Sequence, residues 1–209
     1  MVWLRYISAW SKTRANAILV LTVTCNYLPM DNEFDWVNDF MNRKIHKVLT
    51  KEILNDVNDD DLEQTVIDNI MEKFDKNFTN EYEVVSELSN GRKWIYTSWC
   101  LEAEVNNGGF IQYFFNSSGE FAYLALEGLE QLETFEHANL LRRALVLLEL
   151  NEKTFEKLRN ESSIESFVEA REEVDLSTLD EEFYELEKDR TLSKLRINYI
   201  RQNLAEFID

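Results

Sequence analysis

A chain of 209 residues, 44% of them apolar, is long enough to bury a hydrophobic core without help from metals or disulfides. It holds only five glycines and one proline, so it lacks the turn residues that an all-β fold of many short strands requires. The formal net charge is −18, and a surface field of that sign repels nucleic-acid phosphates and anionic lipid headgroups. Composition therefore favours helices and argues against direct binding to nucleic acids or membrane surfaces.

The first thirty residues differ from the rest of the chain. They hold three basic residues and no acidic one, and an apolar run follows from Ala17 to Cys25. This is the order of a signal peptide, but no A-x-A-like cleavage site follows, and the run is too short to span a bilayer. We predict that residues 1–30 form an extension, with a signal peptide as the alternative, and that residues 31–209 form the acidic helical domain.

After this extension, apolar residues recur at steps of three to five, the pattern of helices that bury one face. The pattern predicts a first helix from Glu33 to Leu54. The run from Asn58 to Asp61 offers N-cap side chains and favourable charges for the start of a second helix. A third helix is expected near Asn80 and a fourth from Trp94 to Val105.

Five more helices are predicted downstream, and the last is the longest. They run from Phe121 to Thr134, Glu136 to Leu150, Asn151 to Asn160, Ser163 to Val174 and Asp180 to Phe207. No stretch alternates apolar and polar residues as a half-buried strand does. The sequence therefore predicts an all-α fold, an irregular bundle of roughly eight to nine helices.

The most distinctive passage runs from Glu104 to Gly119, where two adjacent glycines separate two segments of helical pattern. Gly108 and Gly109 can adopt positive φ, so we predict a sharp corner that ends one helix and begins another at Phe110. Amide side chains around this corner are expected to satisfy buried backbone groups, with a ligand pocket as the alternative. These amides are Asn106, Asn107, Gln112 and Asn116.

The same passage resembles the DNA-mimic protein family of the nineteen-kilodalton DMP type. The shared pattern is an acidic residue, here Glu104, followed by Asn-Asn-Gly-Gly-Phe, Gln-Tyr-Phe and Asn-x-x-Gly. The end of the chain is similar as well, from Leu179-Asp180 to Phe207. The resemblance implies an all-helical fold that often self-associates, here as a homodimer. It also implies surface carboxylates that imitate DNA phosphates and occupy a DNA-binding protein. The Asn-Asn-Gly-Gly-Phe signature then marks the fold rather than the mimicry.

Acidic residues form three columns on predicted helical faces, and four-residue steps place carboxylates about 6 Å apart along a helix. The columns are Glu165, Glu169, Glu172 and Glu173; Glu181, Glu185 and Asp189; and Asp61, Asp68, Glu72 and Asp75. Like charges at this spacing cost a few tenths of a kcal/mol per pair, so a binding role explains why they are tolerated. A solvated face that serves only solubility explains them nearly as well.

We therefore expect an acidic protein-binding module in the cytoplasm that needs no cofactor. Its partner would be a basic protein, such as a transcription regulator that the module occupies in place of DNA. A strongly acidic surface raises the encounter rate with basic proteins. The alternative is an immunity-like inhibitor that binds a basic toxin, which would rely on the same electrostatics.

Catalysis is a weaker hypothesis, because the residues for it are missing from the expected spacings. His46 and His137 are the only histidines, and Arg43 and Thr134 occupy the positions three residues before them, where a helical di-metal motif places glutamate. Cys100 is expected to be a buried thiol. We predict no catalytic residue and no metal site, with a carboxylate-based enzyme as the remaining alternative.

Overall fold

The computed structural model describes residues 40–189 and 191–209, and within these ranges it contains ten α-helices and no strand. The predicted all-α fold is confirmed. The helices are α1 (Lys51–Asp56), α2 (Asp59–Met71), α3 (Glu81–Glu87), α4 (Asn90–Phe115), α5 (Ala122–Gln131), α6 (Phe135–Leu150), α7 (Glu152–Glu161), α8 (Ile164–Glu173), α9 (Ser177–Asp189) and α10 (Leu192–Gln202). Two 3-10 helices span Ser117–Phe121 and Leu204–Phe207. Among the described helices, none is long and apolar enough to cross a membrane.

The first predicted helix is wrong over much of its length. Residues 43–50 are not helical, and α1 begins only at Lys51. Met41 and Val48, which the periodicity predicts on the buried face of that helix, are each 58% exposed, whereas Leu49 is fully buried. The earlier part of that helix and the extension of residues 1–30 lie outside the described residues.

Hydrogen bonds from distant residues explain why residues 43–50 do not form a helix. The Asn69 amide donates to the backbone oxygens of His46 and Lys47, at 3.0 and 3.1 Å. The Leu49 N–H donates to Asp209 Oδ2 at 2.8 Å. Side chains far away in the sequence therefore satisfy backbone groups that a local helix would otherwise pair.

The long helix predicted from Asp180 to Phe207 is also wrong, because two breaks divide it. The first break follows α9, where the backbone of Thr191 is extended and α10 begins at Leu192. The Glu187 carboxylate accepts a hydrogen bond from the Leu192 N–H at 3.2 Å, so a side chain of α9 caps α10. The second break lies at Asn203, before the final 3-10 helix.

The hydrophobic core has two clusters, and α4 contributes to both. One cluster joins the later part of α4 to α5–α9, around Phe110, Phe114 and Phe183. The other joins the earlier part of α4 to α1, α2, α10 and the C-terminal 3-10 helix, around Trp99 and Phe207. The aromatic residues of α4 thus form core, as their helical spacing indicates.

A buried guanidinium links three helices where the two clusters meet. Arg196 of α10 is completely buried and pairs with Glu63 of α2 and with Glu102 of α4. Burial disfavours its charge, but attraction to the two carboxylates and their hydrogen bonds raise the pKa of Arg196 above its ordinary value. The arginine therefore stays charged in the interior and fixes α10 against α2 and α4.

The first prediction concerns this ion pair. Arg196→Met should destabilise the protein by about 3–5 kcal/mol, because it leaves the buried carboxylate of Glu102 and the half-buried carboxylate of Glu63 without this counter-charge. Arg142→Met is the control, since Arg142 pairs with Glu130 on the surface, where ion pairs contribute little. Urea unfolding followed by circular dichroism measures both variants, and equal losses would contradict the assigned role of Arg196.

Candidate functional site

The glycine pair breaks α4 at the predicted corner. Gly108 has φ −159° and ψ 22°, and Gly109 has φ 81° and ψ 178°, so neither residue is helical. Asp180 of α9 accepts a hydrogen bond from the Phe110 N–H at 2.7 Å, at the start of the second helical segment. A Cβ on Gly109 would lie 2.2 Å from Asp180 Oδ2. Only glycine allows both the positive φ and the approach of the Asp180 carboxylate.

The acidic residue of the signature is a buried carboxylate that connects the two segments of α4. Glu104 is 3% exposed. It accepts hydrogen bonds from Gln112 Nε2 at 2.7 Å, Asn116 Nδ2 at 2.9 Å and Ser118 Oγ at 3.3 Å. Burial raises the pKa of the Glu104 carboxyl, although these hydrogen bonds act to lower it.

The amides of the signature therefore act differently from the prediction. Gln112 and Asn116 donate to the Glu104 side chain, not to buried backbone groups, and Asn107 is exposed. Asn106 is half-buried. Because every donor to Glu104 comes from the same stretch of chain, the network stabilises the corner, and the geometry favours the structural interpretation of the signature over a ligand pocket.

Two reactive side chains elsewhere in the described residues, Cys100 and His137, are buried. Cys100 is buried, and burial raises the pKa of its thiol. His137 Nε2 lies 2.8 Å from Glu187 Oε1, and its Nδ1 lies 2.6 Å from Thr134 Oγ1. Within the described ranges, no group of three or more histidine, cysteine or acidic residues is arranged to hold a metal ion.

The three acidic columns have different surroundings. The four glutamates of α8, Glu165, Glu169, Glu172 and Glu173, are all exposed. Glu181 and Glu185 of α9 are exposed too, whereas the side chain of Asp189 lies outside the described part of the structure.

The α2 column is less uniform than the other two. Asp61 and Glu72 are exposed. The expectation of an exposed carboxylate is wrong for Asp68, which is 5% exposed and binds the Arg43 guanidinium through both oxygens, each at 2.6 Å. Asp68 therefore serves an internal ion pair, because α2 turns it toward the segment that precedes α1.

The columns lie on two different parts of the molecule. Helix α2 packs on α4 and α10 and belongs to the core cluster around Trp99. Helices α8 and α9 belong to the other cluster, with α8 on α7 and α4, and α9 on α6 and α4. The α8 and α9 columns therefore share one half of the fold, and the α2 column belongs to the other half.

A cleft of about 700 Å³ lies between α6 and α9. Glu136 of α6 lines it, as do Glu181, Glu182 and Glu185 of α9. Aliphatic side chains line it as well, from Leu140 on α6 and Leu186 on α9, together with Tyr184. The acidic columns predicted from the sequence do not include Glu136 and Glu182. These residues line the cleft because α6 packs against α9, and spacing along one helix does not reveal that packing.

Two cations already contact carboxylates of this cleft. Arg143 of α6 reaches across to Glu182 and donates two hydrogen bonds to its oxygens, at 2.5 and 2.8 Å. Those bonds lower the pKa of Glu182. Lys188 pairs with Glu185 at 2.5 Å on the same helix. Across the described residues, no cation lies within ion-pair distance of Glu181.

Comparison with protein families gives one match. A family model described as DMP19-like protein matches residues 86–203, more than half of the chain. The matched range begins before α4 and ends after α10, so it includes the corner, the Glu104 network and the α6–α9 cleft. Comparison with curated proteins found no match.

The corner generates a stability prediction. Gly109→Val should destabilise the protein by about 1–3 kcal/mol or more, because a β-branched residue tolerates positive φ poorly and its Cβ would collide with Asp180. Gly91→Ala is the comparison, since Gly91 does not have positive φ and the atoms nearest to an added Cβ belong to the Glu206 side chain. A Gly109→Val variant with wild-type stability in urea unfolding would show that the corner does not need glycine.

The Glu104 network generates a pH prediction. Because the folded pKa of Glu104 is raised, the folded protein holds this proton to higher pH than the unfolded chain does. Its contribution to stability therefore falls as pH rises above the ordinary glutamate pKa of about 4.3. Glu104→Gln cannot ionise and should lack this decline. Urea unfolding of both proteins from acidic to neutral pH tests this, and a pH-independent difference between them would refute it.

Proposed function

Because the chain belongs to the DMP19-like protein family, we propose that it is an acidic protein-binding module that occupies a DNA-binding protein in place of DNA. The observation that carries the proposal is the exposure of the α8 column and of Glu181 and Glu185 on the same half of the fold. The net charge of −18 gives the whole molecule a negative long-range field, the same sign as these local carboxylates.

The α8 carboxylates support the proposal because they remain available to a partner. Across the described residues, no cation lies within ion-pair distance of Glu165, Glu169, Glu172 or Glu173. A basic partner would therefore displace no ion pair of the described residues to reach them. Their mutual repulsion within one helix would also be relieved by a partner's positive charges.

Charge density explains why more than one helix is needed. Duplex DNA presents about one charge per 1.7 Å of its axis, whereas one acidic column on a helix presents about one charge per 6 Å. A single column is therefore too sparse to imitate DNA. Two columns on one half of the fold raise the density.

The proposal extends to compartment, assembly and chemistry. The module acts in the cytoplasm, works as a homodimer as the family resemblance implies, and needs no cofactor or catalytic residue. Its partner is a basic protein such as a transcription regulator. Association should be steered by charge and should weaken with salt, since the Debye length falls from about 10 Å at 0.1 M to about 3 Å at 1 M.

The fourth prediction tests DNA mimicry by charge reversal. A variant that carries Glu165→Lys, Glu169→Lys, Glu181→Lys and Glu185→Lys should keep its helicity and lose the captured partner, because these side chains are exposed. The matched control carries Asp56→Lys, Asp60→Lys, Glu83→Lys and Glu87→Lys, which makes the same change in charge on the exposed surface of α1–α3. The control should retain binding.

The measurement is capture of a partner from a cell lysate, followed by titration of the complex with duplex DNA. Wild-type protein should be displaced by DNA, because both ligands use the same basic surface. A partner that holds the protein and DNA at the same time would contradict mimicry and favour an immunity-like inhibitor. Equal loss of binding in the two variants would show that net charge alone, rather than the α8 and α9 columns, controls binding.

A further inference from the structure

The cleft between α6 and α9 combines apolar walls with carboxylates from both helices. We propose that it binds an arginine side chain from a basic segment of the partner, and that Arg143 competes with that arginine in the free protein. This inference rests on the proposed function, because it assumes that the partner is basic. It adds the place of contact and the type of side chain that is recognised.

The lining of the cleft fits the two parts of an arginine side chain. An arginine has an apolar stem and a planar, charged head, and the stem can lie along apolar surface while the head makes hydrogen bonds. Leu140, Leu186 and the Tyr184 ring offer apolar surface. Glu181 and Glu185 lie one helical turn apart on α9. Glu181 has no cation of the described residues within ion-pair distance and offers its carboxylate to the head, whereas Glu185 also pairs with Lys188.

Arg143 shows which geometry the cleft carboxylates accept. Its guanidinium binds both oxygens of Glu182, and each side chain of the pair is nearly half-exposed. This two-bond arrangement is specific to a guanidinium, since a lysine ammonium acts as a point charge. An incoming arginine can therefore pair with Glu181, or replace Arg143 on Glu182 by the same geometry.

Arg142 and Arg143 provide a comparison within one helix. Arg142 pairs with Glu130 of α5, away from the cleft, whereas Arg143 pairs with the cleft residue Glu182. Both arginines are exposed, so removing either one makes the surface more negative by one charge. Only the loss of Arg143 releases a cleft carboxylate.

The experiment uses the full chain and a fluorescein-labelled helical peptide in which arginines alternate with alanines and leucines. Fluorescence anisotropy at fixed salt gives the affinity. Arg143→Gln should tighten binding about threefold, because Glu182 becomes available. Arg142→Gln should change the affinity by less than about 1.5-fold. An otherwise identical lysine peptide should bind the wild-type protein about tenfold more weakly.

Cleft variants complete the test. Glu181→Gln with Glu185→Gln should weaken arginine-peptide binding about tenfold, because it removes charged acceptors of the guanidinium. Glu83→Gln with Glu87→Gln makes the same charge change one helical turn apart on the exposed surface of α3 and should weaken it by less than about twofold. Equal effects of the two double variants, equal effects of the two arginine variants, or equal binding of the two peptides would each overturn the cleft assignment.

The two proposals fail in different ways. If duplex DNA still displaces the captured partner while the peptide shows no preference for the cleft, mimicry stands and the cleft assignment is rejected. If the peptide prefers the cleft but DNA does not compete for the captured partner, arginine recognition stands and mimicry is rejected. Circular dichroism of each variant confirms that a change in affinity does not arise from unfolding.

Discussion

The pairing of Arg196 with Glu63 and Glu102 is the interaction on which the arrangement of the helices most depends. A buried guanidinium is tolerated only when carboxylates compensate its charge, so α2, α4 and α10 must meet at one point. Glu187, whose carboxylate caps α10, lies beside His137 of α6 and extends this polar layer to α9. The apolar clusters supply most of the burial, and the charged layer between them sets the register of the helices.

The glycine corner positions the proposed binding surface without being part of it. The break at Gly109 lets the Asp180 carboxylate of α9 reach the Phe110 N–H, and the Glu104 network stabilises the turn between the two segments of α4. Helix α9 is therefore attached through its N-terminal turn to the glycine corner. Its opposite face is left to line the cleft with α6 and to expose Glu181 and Glu185. The glycine signature can therefore serve the fold while the exposed carboxylates of α9 serve the proposed binding.

Periodicity predicted most helices because burial of one face is a local property of spacing, and the start of α2 after Asn58 and the break at Gly109 followed from residue type. The failures involve distant partners. Residues 43–50 are not helical because Asn69 and Asp209 bind their backbone, and the last helix is broken where Glu187 caps Leu192. The acidic columns of α8 and α9 were predictable, whereas the internal pairing of Asp68 and the cleft with Glu136 depend on which helices pack together.

Hydrogen–deuterium exchange of the full chain, alone and with its captured partner, tests the central claim most directly, because it locates the contact surface without altering any charge. If the acidic faces take the place of DNA, exchange slows on binding in peptides from α8 and α9 and does not change in α2 and α3. Duplex DNA added to the complex then restores the exchange of the free protein, since DNA and this protein would occupy the same surface of the partner. Protection confined to α2 and α3, or protection of α8 and α9 that persists when DNA binds the same complex, would contradict the claim that these acidic faces take the place of DNA.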